Sequence, residues 1–337
     1  MDHRLPTNQL KWIGLTGLIC LFACAFAASL LFGRTPLTLS SALGAFTAYD
    51  ETSIQHVVIH TERLPRSIIG AVIGASLAVA GGLMQALTRN PLASPSLFGI
   101  NSGALFFVVV ATIFWSITSL THLMWFAFLG ASLAALVVYG LSSLGRDGLT
   151  PMKMVLAGAA LTALFSSFTQ AILVFDEVGM QDVLFWLAGS VSGRPLEMLL
   201  PVLPFISVSI IIALLMGKSI NLLASGDDVA RGLGQNIALV KISMGILIVL
   251  LAGSSVAVVG AIGFIGLVIP HIARFFTGND YRWVLPFSAL MGAILLLCSD
   301  VVARLIIIPQ EVPIGVMTAC IGGPFFLYLA RKGVTKK

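Results

Sequence analysis

Three sets of residues in this chain of 337 have types and spacing that could do chemistry. Gly217-Lys218-Ser219 has the form of the tail of a phosphate-binding loop, whose backbone amides wrap a phosphate. That loop needs a further glycine five residues before its last one, and position 212 is Ile212, inside an apolar run. The match fails, so the chain is not expected to bind ATP itself. H-E-x-x-H and G-x-S-x-G are both absent, as is any Cys/His cluster. Cys20, Cys24, Cys298 and Cys320 lie in or beside apolar runs without metal-ligand spacing and read as packing residues. His271, after Pro270, reads as a capping or interfacial residue. No catalytic residue, metal site or cofactor is predicted.

The second set is suited to recognising anions. Arg63 and Arg66, in Glu62-Arg63-Leu64-Pro65-Arg66, stand where an apolar span begins. Pro65 can open a helix, and arginines three apart share a helix face. Two cations at the positive end of a helix are unfavourable unless an acid neutralises them. A snorkelled interfacial pair is the simpler alternative. Arg304 follows Asp300 by four residues, the favourable order for a helical ion pair, so Asp300 alone could satisfy it.

The third set is Leu222 to Gly234, LLASGDDVARGLG, a charged segment between two apolar runs. Ser225 or Asp227 can cap a short helix there, and Asp227 and Asp228 suit its positive end. Val229, Ala230 and Arg231 continue it, and Gly232 or Gly234 ends it. Two turns of helix are marginal in water, so the segment needs bracing. It reads either as an ordinary polar loop or as a surface that touches something soluble.

The elements that must position these residues are membrane spans. The chain is 58% hydrophobic and 10% charged, against about 25% charged for a soluble domain. A bilayer core takes roughly 20 apolar residues per helix. Ten spans are expected: Ile13–Phe32, Ile68–Leu87, Leu97–Trp115, Leu123–Leu144, Met152–Phe175, Leu199–Met216, Ile237–Val256, Val258–Phe275, Trp283–Leu297 and Ile314–Leu329. Of the 19 Lys and Arg residues, one set of loops and span ends holds only Arg34, Arg63, Arg66, Arg194 and Arg304; the other fourteen fall on the opposite side. This bias places both termini in the cytoplasm. The formal charge of +5 is thus a topology signal and not a nucleic-acid footprint. The first apolar run is too long for a cleaved signal and is expected to stay as a span. Gly70-x-x-x-Gly74 and Gly260-x-x-Gly263-x-x-Gly266 are expected to put small residues on helix faces for close packing. Of the outer segments, Gly33 to Ser67 is the longest, and Asp176 to Glu197 is expected to hold a short interfacial helix around Val183–Ala188. Mid-span charges, which ion-coupled carriers use, are absent, so the driving energy is expected from elsewhere.

Four collinear blocks carry a resemblance to a known family: Glu62 to Ala104; Leu222 to Gly234; GAIGFIGLVIPHIAR, Gly260 to Arg274; and Ser299 to Leu329. With these the chain resembles the FecCD family of ABC-importer permeases, which includes cobalamin and ferric-siderophore permeases. The resemblance implies an all-α membrane protein with about ten transmembrane helices, a cobalamin-permease-like bundle, working as a dimer whose interface forms the pathway. It implies a single permease domain over 1–337, which needs a second copy or a paralogue. It also implies two cytoplasmic ATP-binding subunits, an extracytoplasmic substrate-binding protein, and a place in the prokaryotic plasma membrane. Arg63, Arg66 and Arg304 look like the receivers of acidic residues on the binding protein. The coupling helix falls on Asp227 to Gly234, within about 225–236. The cytoplasmic gate falls on Leu149-Thr150-Pro151-Met152, where Thr150 keeps one hydroxyl and Pro151 replaces a second. Gln85, Asn90 and Pro91 are further gate or pathway candidates. The implied cargo is a ferric siderophore, with cobalamin or haem as the alternative and an ion-coupled carrier as the mechanistic rival.

Overall fold

In a computed structural model, residues 7–33, 35–144, 150–174, 186, 188–308 and 310–334 are described, and no strand occurs among them. The helices in chain order are α1 (Asn8–Leu31), α2 (Leu39–Thr47), α3 (Ile54–Val58), a π-helical turn (Ile59–Arg63), α4 (Leu64–Thr88), α5 (Ile100–Trp115), α6 (Leu120–Ser143) and α7 (Pro151–Leu173). After these come α8 (Leu196–Leu199), α9 (Leu203–Leu215), α10 (Gly217–Ala224), α11 (Asp227–Gly232), α12 (Ile237–Val259), α13 (Ile265–Thr277), α14 (Tyr281–Leu305) and α15 (Ile314–Val334).

Six stretches are long and apolar enough to cross a membrane. The pair α9–α10, bent by 60°, makes a seventh, and α5, α13 and α15 are shorter apolar helices. Together they fall at the ten expected positions, three of them as helices shorter than a full span, and the fold is an all-α membrane bundle. The second span starts earlier than its hydropathy suggests. Helix runs unbroken from Ile54 through the π turn to Thr88. Its charged stretch stays helical because Arg63 and Arg66 are buried against partners. The segment between the first two spans also holds a helix that was not expected, α2. It is tied to the next helix by Phe46 and Tyr49 against His60, with ring centroids 5.4 and 5.0 Å apart, and by His60 Nε2 at 2.9 Å from the Ala45 carbonyl. The interfacial helix expected at Val183–Ala188 lies almost wholly outside the described residues.

The axis of the bundle is α4, the most deeply buried span. It attains that position through small residues. A Cβ added at Gly74 would overlap the backbone of Gly292 on α14, and one at Gly81 would overlap Gly266 on α13. Without them the backbones could not approach so closely. Ser76 adds a hydroxyl bond of 2.9 Å to the Leu251 carbonyl on α12.

The second glycine series does not behave as expected. Gly260 to Phe264 is a non-helical break between α12 and α13, with Gly260 at φ +77° and Phe264 at φ +68°. Only Gly266 of that series packs on a helix face. The freed backbone is still satisfied, since the Val259 carbonyl accepts from Ser190 N at 2.9 Å.

Two ends of the bundle can be told apart. Ser29, Arg63, Arg66, Asp300, Arg304 and Glu311 gather at one. Arg89, Asn221, Asp227, Lys241 and Tyr281 gather at the other. Trp12 packs edge-on against Trp283 at 5.2 Å, so α1 begins at the end that carries α11.

Candidate functional site: two charged ends

The arginine end is closed. Arg63, Arg66 and Arg304 are each only 3–4% exposed. Arg66 donates through Nε to Asp300 Oδ1 at 2.8 Å and through Nη1 to Glu311 Oε2 at 2.9 Å. Arg304 grips the other oxygen of Asp300 at 2.8 Å and donates to Ser29 Oγ at 3.0 Å. Arg63 turns the opposite way. Its Nη1 donates to the carbonyls of Leu30 and Leu31 at 2.8 and 2.6 Å, and its Nη2 to that of Thr35. Leu30 and Leu31 close α1, so Arg63 satisfies carbonyls that the helix leaves open and sits at its negative end.

These positions change how the arginines are understood. They stand well inside a helix that begins at Ile54, not at its positive end, so the expected dipole conflict does not arise. The acids they call for are Asp300 and Glu311, in the same chain. The Asp300–Arg304 pair forms as its spacing predicts. Glu311 and Ser29, which complete the cluster, were not picked out, because no local pattern links them to Arg66 or Arg304.

The insert end is open. Helix α11 follows Gly226, at φ +126°, which takes the cap position with no side-chain bond. Neither Ser225 nor Asp227 caps the helix as expected: Ser225 Oγ donates to the Asn221 carbonyl at 3.1 Å, and Asp227 faces cations. The other end does follow the sequence. Gly234, at φ +78°, closes the helix with Gly234 N to the Arg231 carbonyl and Gln235 N to the Ala230 carbonyl, both 3.0 Å.

The bracing that so short a helix needs is present. Asp227 pairs with Lys241 at 2.8 Å and with Arg89, while Ala230 is fully buried. Gln235 Nε2 reaches the Ser219 carbonyl at 2.9 Å. Burial alone would raise the Asp227 carboxyl, but Lys241 and then Arg89 outweigh it and hold it below the ordinary carboxylate range. Asp227 is therefore a tether, and Asp228, Val229, Arg231, Gly232, Leu233 and Gly234 form the exposed surface.

The gate and pathway candidates divide. Thr150 Oγ1 accepts from Lys153 N at 3.4 Å and caps α7, which Pro151 opens, so its hydroxyl serves the helix. Leu149 lies outside the described residues. Asn90 is exposed and accepts from Leu92 N at 3.0 Å in a turn.

Gln85 is almost fully buried. Its Nε2 donates to the carbonyls of Gly266 and Leu267 at 3.2 and 3.1 Å, and its Oε1 accepts from Arg274. Pro270, inside α13, has no N–H for the Gly266 carbonyl, and the Gln85 amide takes its place. Gln85 and Pro91 also border a cavity of about 480 Å³ at this end.

Comparison with known proteins agrees with the fold and the length. The profile of the FecCD transport family matches residues 20–332. The chain is 54% identical over 323 residues to the "Probable siderophore transport system permease protein YfiZ" of Bacillus subtilis (strain 168), covering 96% of this chain and 97% of that one. It is 45% identical over 315 residues to the Fe(3+)-citrate import system permease protein YfmD of the same organism, covering 94% and 93%. A solved inward-facing structure of a transporter assigned to the metal-chelate ABC type superposes with a TM-score of 0.83 at 31% identity, covering 94% of this chain and 98% of that one. With its apolar helices in the expected order and a family match over nearly all of its length, this chain belongs to the FecCD transport family.

Proposed function

We propose that the chain is the membrane permease subunit of an ABC importer and that its cargo is a ferric siderophore. The observation that carries this reading is the 54% identity, end to end, to a relative named for siderophore transport. ATP hydrolysis belongs to two separate cytoplasmic subunits. They dock on the exposed face of α11, and both chain termini lie on that side of the membrane.

Two copies of the chain, or this chain and a paralogue, enclose the pathway. Helix α7 supports this: it is a span that buries little of itself within the chain, and Ser167 and Gln170 are exposed on it. Polar side chains in a span avoid lipid and face protein or water.

At the other end a loaded substrate-binding protein docks through its acids on the arginine cluster. Glu311 is the more accessible of the two acids bonded there, with 13% of its side chain exposed against 2% for Asp300. An incoming carboxylate takes its place on Arg66, while Asp300 and Arg304 stay locked.

The test is uptake in a deletion strain, comparing labelled iron on a panel of siderophores with labelled cobalamin and haem. Selective loss of one iron chelate supports the reading and names the cargo. Loss of cobalamin or haem uptake alone overturns the cargo. Uptake that persists without the ATPase subunits and follows an ion gradient overturns the importer class.

A further inference from the structure

The cavity beside α11 is lined by Gln85 and Asn221, whose amide oxygens are already taken, and by Arg89 and Arg274, which still have hydrogen to give. Its floor is Gln85, whose oxygen is taken by Arg274. The oxygen of Asn221 is taken by Tyr281 N at 2.8 Å, and its nitrogen is given to Asp280 at 2.6 Å. Arg89 uses one nitrogen, Nη2, for Asp227 and the Leu223 carbonyl. Arg274 is bonded to Gln85 and to Tyr281, both neutral, and among the described residues it has no carboxylate partner. A guanidinium carries five N–H donors, so both arginines keep unused ones.

The charges do not balance either. Asp227 answers both Arg89 and Lys241, Asp280 is held by Arg282, and Arg274 is left over. The cavity's mouth carries the polar residues Arg89, Ser225 and Asn279, all exposed, and its walls include Gln85 and Ala86 of the most buried helix.

We infer that this cavity is a second docking socket for the ATPase subunit and receives an acidic side chain from it. The inference rests on the reading of α11 as the coupling element. It adds a contact of different character: α11 offers an exposed surface with Val229 and Leu233, whereas the socket offers unanswered positive charge. Arg89 joins the two, since it lines the socket and also holds Asp227 of α11. A carboxylate entering the socket thus bears on the same ion pair that anchors the coupling helix.

The experiment measures affinity of the ATPase subunits for the reconstituted permease. Asn279→Asp supplies a carboxylate at the mouth from within the chain, at an exposed residue. It should weaken association about tenfold, the worth of one charge-assisted hydrogen bond. Arg274→Lys keeps the charge and should lose less than Arg274→Gln. In an Arg274→Glu background, one Asp or Glu to Lys change in the ATPase should restore binding. If Asn279→Asp leaves association intact while Val229→Asp abolishes it, the socket is wrong and the coupling reading stands. If neither substitution matters, the coupling reading fails and takes the socket with it. If inorganic phosphate raises the thermal stability of the isolated permease through Arg274 and association ignores Asn279→Asp, the cavity is a site for a small anion, which also overturns the proposal.

Discussion

The two ends of this molecule are both rich in charge and differ in how that charge is answered. At the arginine end, three guanidiniums meet Asp300, Glu311, Ser29 and the open carbonyls of α1, almost wholly out of solvent. At the insert end, Asp227 is shared between Arg89 and Lys241, and among the described residues Arg274 has only neutral partners. The first arrangement locks α1, α4 and α14 together. The second leaves attraction directed outward. An unanswered charge can take a partner directly, an answered one only by displacing the group it already holds, and which case applies cannot be judged from residue type.

If this contrast is real, equal insults at the two ends should act differently. The largest effect on stability is expected from Asp300→Ala, which leaves Arg304 without its bonded carboxylate and Arg66 with Glu311 alone in a buried site. Removing one partner of a buried ion pair costs about 3–5 kcal/mol. Thermal unfolding of the purified permease should show most of the folded population lost at temperatures the parent survives. An unchanged midpoint would mean that the network does not lock the helices.

Next comes Gln85→Leu, which leaves the Gly266 carbonyl without its side-chain donor and takes one of Arg274's two partners, and should cost about 1–3 kcal/mol. Adding Pro270→Ala restores an N–H for that carbonyl. A double-mutant cycle should therefore show the second change recovering part of the loss; strict additivity would refute the pairing.

On the exposed face of α11 the expectation reverses. Val229→Asp should alter stability by no more than about 0.5 kcal/mol. It should nevertheless abolish ATPase association, read by co-purification. Loss of fold together with association would erase the distinction between the ends.

The smallest effect concerns Asp280, which caps α14. Burial pushes its carboxyl up, but Arg282 and Asn221 prevail and hold it at about 2, below its ordinary 3.8. A carboxylate lowered in the folded state stabilises above its unfolded value, and that stability is lost as pH falls through the folded one. The melting difference between the parent and Asp280→Asn should be constant above about pH 4 and shrink toward pH 2. A difference that persists at pH 2 would assign the effect to packing.

Much of the fold was legible in the sequence because hydropathy acts locally. Each span declares itself within about twenty residues. Spacing also foretold the Asp300–Arg304 pair and the glycine that ends α11. The features that were not legible depend on distance or on compensation. Helix continues through Glu62-Arg63 because distant groups bury the arginine, so hydropathy placed the start of the span too late. The Gly260-x-x-Gly263-x-x-Gly266 series has the form of a packing face but is mostly a break, since glycine permits both. The bond from Gln85 to Gly266 crosses the whole middle of the chain, and nothing near Gln85 announces it. Arg89 and Arg274 entered only as topology charges, although both line the cavity beside α11.

The substitution of a side-chain amide for the hydrogen that Pro270 lacks has a consequence for how this chain can change over generations. Either residue alone is a liability: proline without the amide leaves a bare carbonyl, and the amide without proline competes for an acceptor already served. Lineages that lose one should lose the other soon after, and positions 85 and 270 should change as a pair.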